Sequence, residues 1–312
     1  MDVIHFPEDP RPVRWVHPVL ALGNFDGVHR GHRKILERVR RVASERGSTS
    51  VVMTFDPHPP RVVRPDKAPP LLMTMAQKLE AIGETGMQGT AIVRFTRELS
   101  RWDPETFVRA VLVDWLHVSE VWVGANFLFG HDRAGNFTLL RALGARFGFN
   151  TEKIDPVRYK DFVVSSTRVR RLVGEARVDE AGALLGHQYF IDGIVEHGDA
   201  RGRTIGFPTA NLRSDNELLP PNGVYATTAR VNGIVYPSVT NVGVRPTVDQ
   251  SGSVRIETHL FGFDADIYGA PVRVGFVQRL RDERTFASVE ALRAQIESDC
   301  ARARVLFERL SL

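Results

Sequence analysis

From Val19 to about Leu185, apolar positions fall into short runs separated by stretches of helical spacing. The runs at 19–22, 50–55, 90–95 and 119–123 each predict a buried strand. After the first, Ile35, Leu36, Val39, Val42 and Ala43 recur at intervals that place them on one face of a helix. A further helix is predicted where Asp103 offers an N-cap and Pro104 takes the first helical position, followed by Phe107, Val108, Val111, Leu112 and Trp115. Such alternation implies a parallel sheet covered by helices, with ligands at the carboxyl ends of the strands.

Beyond Gly186 the pattern changes. Y-F-I-D-G-I-V-E, V-Y-A-T-T-A-R-V, I-V-Y-P-S-V-T-N-V, V-R-I-E-T-H-L-F and V-R-V-G-F-V-Q read as strands, and Asn232-Gly233 between two of them is a hairpin turn. Strands this dense predict a small antiparallel barrel or sandwich. From Ser288 onward, Val289, Leu292, Ile296 and Cys300 form one stripe, so an amphipathic helix is expected to pack on it. The junction between the halves is expected near residues 180–188.

Length and composition sharpen this only modestly. A chain of 312 residues with 43% hydrophobic and 25% charged residues favours two domains and a sizeable core. The single cysteine, Cys300, excludes an intramolecular disulfide and fits a reducing compartment. The N-terminus does not read as a signal peptide and no apolar run approaches membrane-spanning length, so the expectation is a cytoplasmic protein with no membrane partner. The net charge of +4, from 41 Lys and Arg against 37 Asp and Glu, suits anionic small substrates better than nucleic acid.

The chemistry concentrates at a few loops. In A-L-G-N-F-D-G-V-H-R-G-H, Gly23, Gly27 and Gly31 permit a tight turn between a strand and a helix start, where unpaired N–H groups and the dipole favour an anion. His29 and His32 add ring donors at the same mouth. T-F-D-P-H-P at 54–59, V-G-A-N-F-L-F-G at 123–130 and S-S-T-R at 165–168 likewise follow strands or open helices. Ser166, Thr167 and Arg168 offer hydroxyls, N–H groups and a guanidinium to a second phosphate. No Gly-Lys pair and no G-x-G occurs, so neither a Walker loop nor the dinucleotide fingerprint is present. Asp56 and His58 suit a turn as well as a substrate, and Phe127 and Phe129 suit a core as well as a flavin platform.

These four pieces, in this order, resemble the adenylyltransferase module of the bacterial bifunctional riboflavin kinase/FAD synthetase family. The second half resembles its kinase module in G-D-A-R-G-R-T-I-G-F-P-T-A-N-L at 198–212, N-V-G-V-R-P-T at 241–247, I-E-T-H-L-F at 256–261 and D-A-D-I-Y-G at 264–269. One departure is Gly275, where the family more often carries an acid, and a structural rather than catalytic consequence is expected.

The resemblance implies a Rossmann-like α/β nucleotidyltransferase sheet of the His-x-Gly-His type over residues 1–185. A small antiparallel β-barrel with a C-terminal helix, the riboflavin kinase domain, would follow over 186–312. The implied activities are ATP-dependent phosphorylation of riboflavin to FMN and adenylylation of FMN to FAD, with Mg²⁺. It further implies that Glu257 is the kinase general base, that Thr209 and Asn211 hold Mg²⁺ with the ATP phosphates, and that His29, His32 and Arg168 stabilise phosphate charge in adenylyl transfer. Nucleotide or flavin contacts fall to Gly23, Asn24, Phe25, Asp26, Gly27, Gly31, Asn126, Ser165, Ser166 and Thr167 in the first half. In the second they fall to Gly198, Arg201, Gly202, Arg203, Gly206, Pro208, Thr209, Asn211 and Asn241. The rivals at this point are an adenylyltransferase for another nucleotide or a phosphorylated cofactor with the barrel as a specificity module, and a flavin- or nucleotide-binding regulator without catalysis. An RNA-binding protein with an aminoacyl-tRNA-synthetase-like core would need a basic stripe and a tRNA-sized extension, and the sequence shows neither.

Overall fold

The computed structural model describes residues 1–198, 202, 205–244 and 254–310. They form two compact units, Met1–Ser166 and Thr167–Leu312.

The first unit runs β1 (Asp2–Phe6), β2 (Val19–Leu22), α1 (Arg30–Glu45), β3 (Ser50–Asp56), α2 (Pro59–Val63), α3 (Met75–Gly83), β4 (Gly89–Arg94) and α4 (Pro104–Phe107). It continues with β5 (Glu120–Gly124), β6 (Leu128–Phe129), β7 (Gly135–Asn136), α5 (Phe137–Phe147), β8 (Asn150–Ile154), β9 (Arg158–Tyr159) and β10 (Phe162–Val163). Six strands make one parallel sheet in the order β1-β4-β3-β2-β5-β8. The chain moves from β2 to β3 and β4 on one side and then to β5 and β8 on the other, so β2 and β5 flank a topological switch point. The four apolar runs are the four inner strands. The edges β1 and β8 escape that reading because β8 is largely exposed and β1 buries only Ile4.

Helix α1 buries Ile35, Leu36, Val39, Val42 and Ala43, the face its spacing predicts. Asp103 caps α4, its carboxylate accepting from the N–H groups of Glu105 and Thr106, and Pro104 stands at the first helical position. The helix then widens to π geometry over Val108–Trp115, with Leu116 N–H donating to Val111 O at 3.2 Å, a change invisible to periodicity.

The second unit opens with α6 (Ser166–Gly174) and α7 (Val178–Leu185), and α7 packs on the barrel strands β16 (Pro271–Arg281) and β11 (Tyr189–Glu196). With β12 (Ala210–Ser214), β13 (Gly223–Val231), β14 (Ile234–Val244) and β15 (Val254–Leu260) these close a barrel in the order β11-β12-β15-β14-β13-β16, antiparallel throughout. Of the two architectures the strand pattern allowed, the barrel forms. Asn232 and Gly233 take the φ of 50° and 83° that a two-residue primed turn requires. Inside, the hydroxyls of Thr227, Ser238, Thr240 and Thr258 are fully buried and satisfy one another at 2.8–2.9 Å, and Ser238 Oγ ends the chain by donating to Thr227 O.

Gly275, paired with Thr228, faces the other side of the barrel wall from these hydroxyls. A Cβ there would come 2.3 Å from Gln188 Oε1, which accepts from Thr228 Oγ1 at 2.7 Å, so a larger residue would displace a packed hydrogen bond.

The closing helix α8 (Val289–Leu310) lies on β13, β14 and β16, but the predicted stripe is only partly its buried face. Val289 is 57% exposed, and Cys300, Ala303 and Phe307 enter the core beside Val224, Ala226 and Val239. The difference arises because the helix docks through its later turns, where Asp299, 1% exposed, accepts from Arg281 Nε and Gln295 Nε2 at 2.8 Å each. Asp299→Ala would leave Arg281 charged without its carboxylate and is expected to cost about 3–5 kcal/mol. Circular dichroism during denaturation reads this. All four tryptophans lie in the first unit, so an unshifted fluorescence transition serves as the control.

Candidate functional sites

In the first unit, β2, β3 and β5 end side by side, and each is followed by one of the sequence motifs. The loop after β2 is held from below. Gly23 N–H donates to Met53 O at 3.2 Å, and Thr54 Oγ1, on β3, donates to Asn24 O at 3.0 Å. Phe25 and Asp26 are each 1% exposed, so their side chains prop the loop from within. The Asp26 carboxylate accepts from Leu72 N–H at 3.1 Å and from Met73 N–H at 3.2 Å. Gly27 turns the chain with φ +84°. Gly23 and Gly31 serve close packing instead: a Cβ would come 3.3 Å from the Phe25 ring and 3.2 Å from the His29 ring respectively.

His29 is the N-cap of α1, and its Nδ1 accepts from His32 N–H at 3.2 Å. A ring nitrogen that accepts carries no proton, so the remaining proton of neutral His29 sits on Nε2. The two imidazoles stack at 3.6 Å with their planes 13° apart, and Phe25 flanks His32 at 5.1 Å. The helix start therefore holds an oriented imidazole, 6% exposed, beside the first backbone N–H groups of α1. Ser166 joins it through Oγ, which donates to Asp26 O at 2.9 Å, with Ser165 immediately before. Thr167 and Arg168 follow in the first turn of α6, in the second unit. The β9–β10 hairpin stands nearby, with the Arg30 guanidinium 5.3 Å from the Tyr159 ring centroid.

After β5, Asn126 is exposed beyond the strand end, whereas Phe127 and Phe129 stack at 5.3 Å and pack into the central core. His58, 7% exposed, precedes α2.

Lys78 on α3 is part of this site's floor and was missed from sequence. It is 3% exposed, and its Nζ donates to Thr54 Oγ1 at 3.4 Å. Burial pushes its pKa down from the usual lysine value, and the charges of Asp26 and Asp56 work in the opposite direction. The signal was present in its placement at i−3 and i−4 from the buried Ala81 and Ile82.

The barrel carries a second constellation. Asn211 on β12 and Asn241 on β14 are both register partners of Glu257 on β15, so the three form one row across adjacent strands. Because Ile256 and Thr258 face the interior, that row lies on the outer surface. The Glu257 carboxylate, 26% exposed, accepts from Arg255 Nη1 at 3.2 Å. Gly198 lies against the row, and Gly202 against the residues that lead into β12. A Cβ on Gly198 would come 2.1 Å from Asn211 Nδ2, and one on Gly202 would come 2.3 Å from Phe207 O and 3.1 Å from Thr209 Oγ1. Phe207 N–H closes this turn onto Gly202 O at 2.8 Å, and Gly206 takes a φ of +88°. Pro208 O lies 2.8 Å from His259 Nδ1. Arg201 and Arg203 lie outside the described residues.

Thr209 and Asn211 provide a hydroxyl and an amide oxygen beside a carboxylate, hard donors suited to a magnesium ion that takes its remaining ligands from phosphate and water. Among the described residues no group of three or more His, Cys, Asp or Glu could hold a metal. No helix among them is long and apolar enough to cross a membrane.

Comparison with known proteins follows the same division. The FAD synthetase family matches residues 13–168 and the riboflavin kinase family matches residues 185–307. A bifunctional riboflavin kinase/FMN adenylyltransferase of Pseudomonas fluorescens is 41% identical over 92% of this chain and 92% of its own. Its namesake in Bacillus subtilis is 38% identical over 94% of this chain and 93% of its own. A solved structure from Streptococcus pneumoniae, described as a macrolide-efflux protein, superposes with a TM-score of 0.88 at 30% identity, covering 97% of this chain and 99% of that one. With both families matched on one chain and such relatives along its length, the chain belongs to the bifunctional riboflavin kinase/FMN adenylyltransferase family.

Proposed function

We propose that this enzyme phosphorylates riboflavin with ATP to give FMN and then adenylylates FMN with a second ATP to give FAD and pyrophosphate. What supports the reading is that each unit gathers its own set of polar groups: stacked His29 and His32 at a helix start, and the Asn211–Glu257–Asn241 row with Gly198 against Asn211. The proposed functional division is 1–185 and 186–312. It keeps Ser165 to Arg168 with the first activity, although compactness divides the chain at Ser166/Thr167.

In the kinase, an alcohol must attack the γ-phosphorus of ATP. Glu257 takes the proton of the terminal ribityl hydroxyl as the new O–P bond forms and ADP departs. Thr209 and Asn211 hold Mg²⁺, which neutralises the nucleotide phosphates when bound. Gly198, Gly202 and Gly206, with Pro208, shape the loop that admits those phosphates, and Asn241 flanks the base. Arg201 and Arg203, which lie outside the described residues, contribute positive charge to the same stretch of sequence.

In adenylyl transfer the attacking FMN phosphate is already an oxyanion and needs no base. Its oxygen bonds to the α-phosphorus of ATP as the bond to pyrophosphate breaks. His29 donates from Nε2 to the charge that grows there, and His32, the loop N–H groups, Ser165, Ser166, Thr167 and Arg168 share that task. Asn126 holds the nucleotide at the β5 end. The substrates are the small molecules riboflavin, FMN and ATP, and the compartment is the cytoplasm.

Incubation with riboflavin, ATP and MgCl₂, resolved by chromatography, should yield FMN first and FAD later. Absence of flavin turnover would end this reading.

A further inference from the structure

Lys78 is an unusual residue to find in the interior of the first unit. Its ammonium has three donors and, among the described residues, makes one hydrogen bond, the 3.4 Å contact to Thr54 Oγ1. Burying an ammonium is more costly than one long hydrogen bond can offset, so the position calls for another reason.

The surrounding structure holds the lysine firmly at this place. Thr74 and Gln77 form a complete capping box at the start of α3, with Gln77 Oε1 accepting from Thr74 N–H at 2.9 Å. Just before it, Leu72 and Met73 are tied to the Asp26 carboxylate. Lys78 therefore rises from a segment anchored on the glycine loop and reaches Thr54, whose hydroxyl supports Asn24 O from the other side. The carboxylates that act on it, Asp26 and Asp56, belong to the G-N-F-D-G and T-F-D-P-H-P stretches at the strand ends. The buried carboxylate of Asp26 and the exposed one of Asp56 lie in the stretches that frame the mouth, where negative charge opposes a polyphosphate, and a buried ammonium that interacts with both offsets that repulsion.

We infer that Lys78 is a positioning residue of the adenylyltransferase site, bracing the Thr54–Asn24 contact under the glycine loop and compensating Asp26 and Asp56 so that the mouth accepts the triphosphate of ATP. This rests on the adenylyltransferase reading above.

The test is steady-state adenylylation of supplied FMN at varied MgATP by the full-length wild type and by Lys78→Met, Lys78→Arg and Lys78→Met/Asp26→Asn. In Lys78→Met the KM for ATP should rise about tenfold or more. Lys78→Arg, which keeps the charge, should stay close to wild type, and adding Asp26→Asn should recover part of the loss. A lysine that merely fills space would instead lower the fraction of folded enzyme, reducing apparent kcat at unchanged KM. That result overturns the inference, as does an unaltered Lys78→Met. If Lys78→Met does not fold by tryptophan fluorescence, Lys78→Gln must show the raised KM in its place. Riboflavin phosphorylation by the same samples is the internal control. A wild type that makes no FAD would sink the functional reading itself, whereas FAD from the wild type with unchanged KM in the variant sinks only the role of Lys78.

Discussion

Glu257→Ala is expected to slow riboflavin phosphorylation by about 10²- to 10⁴-fold, the usual worth of a positioned general base. Adenylylation of supplied FMN should continue at its normal rate. The asymmetry follows from where the carboxylate sits: on the outer face of the barrel, between Asn211 and Asn241 in register, in the unit that does not contain His29 and His32. Glu257→Gln sharpens the test, because it keeps the side chain's size and an acceptor for Arg255 while removing the proton acceptor. Both variants should fail alike in the kinase assay. A kinase-competent Glu257→Gln would reduce Glu257 to a partner of Arg255, and equal loss of both activities would contradict separate sites.

The second large effect is expected at the opposite end of the chain. His29→Ala combined with His32→Ala should abolish FAD formation while FMN still accumulates from riboflavin, since loss of one oxyanion donor alone typically costs about 10²- to 10³-fold. His29 is also the N-cap of α1, and losing a cap costs about 1 kcal/mol. His29→Asn separates these roles because asparagine caps well but lacks an imidazole. It should restore stability without restoring FAD synthesis. Normal FAD synthesis in His29→Asn would leave the histidine a structural cap and nothing more.

Much of this organisation was legible in the residues, for identifiable reasons. The inner strands β2, β3, β4 and β5 are buried on both faces and so read as apolar runs, and α1 shows its core face directly. The edge strands β1 and β8 were not legible, because a strand packed on one side needs few apolar residues. Likewise β12 begins inside the A-N-L that ends a motif and buries only Leu212. The helical stripe from Val289 was misleading in its first turns, since spacing reports a possible face and not where a helix makes contact.

At the sites, sequence could name residues but not their geometry. It placed Glu257, Asn211 and Asn241 in separate motifs, and only strand register brings them into one row. It offered Phe25 and Asp26 as ligand contacts, whereas the fold buries both side chains as supports and leaves their backbone at the mouth. It passed over Lys78 because a lysine in an amphipathic helix ordinarily faces water.

The most direct measurement mixes the two defective enzymes. From riboflavin, ATP and MgCl₂, Glu257→Ala alone should yield almost no FMN, and His29→Ala/His32→Ala alone should yield FMN without FAD. Because FMN is a diffusible product of one site and a substrate of the other, the mixture should form FAD. A mixture that accumulates FMN without FAD, although Glu257→Ala adenylylates FMN when it is supplied, would contradict two independent sites linked by free FMN.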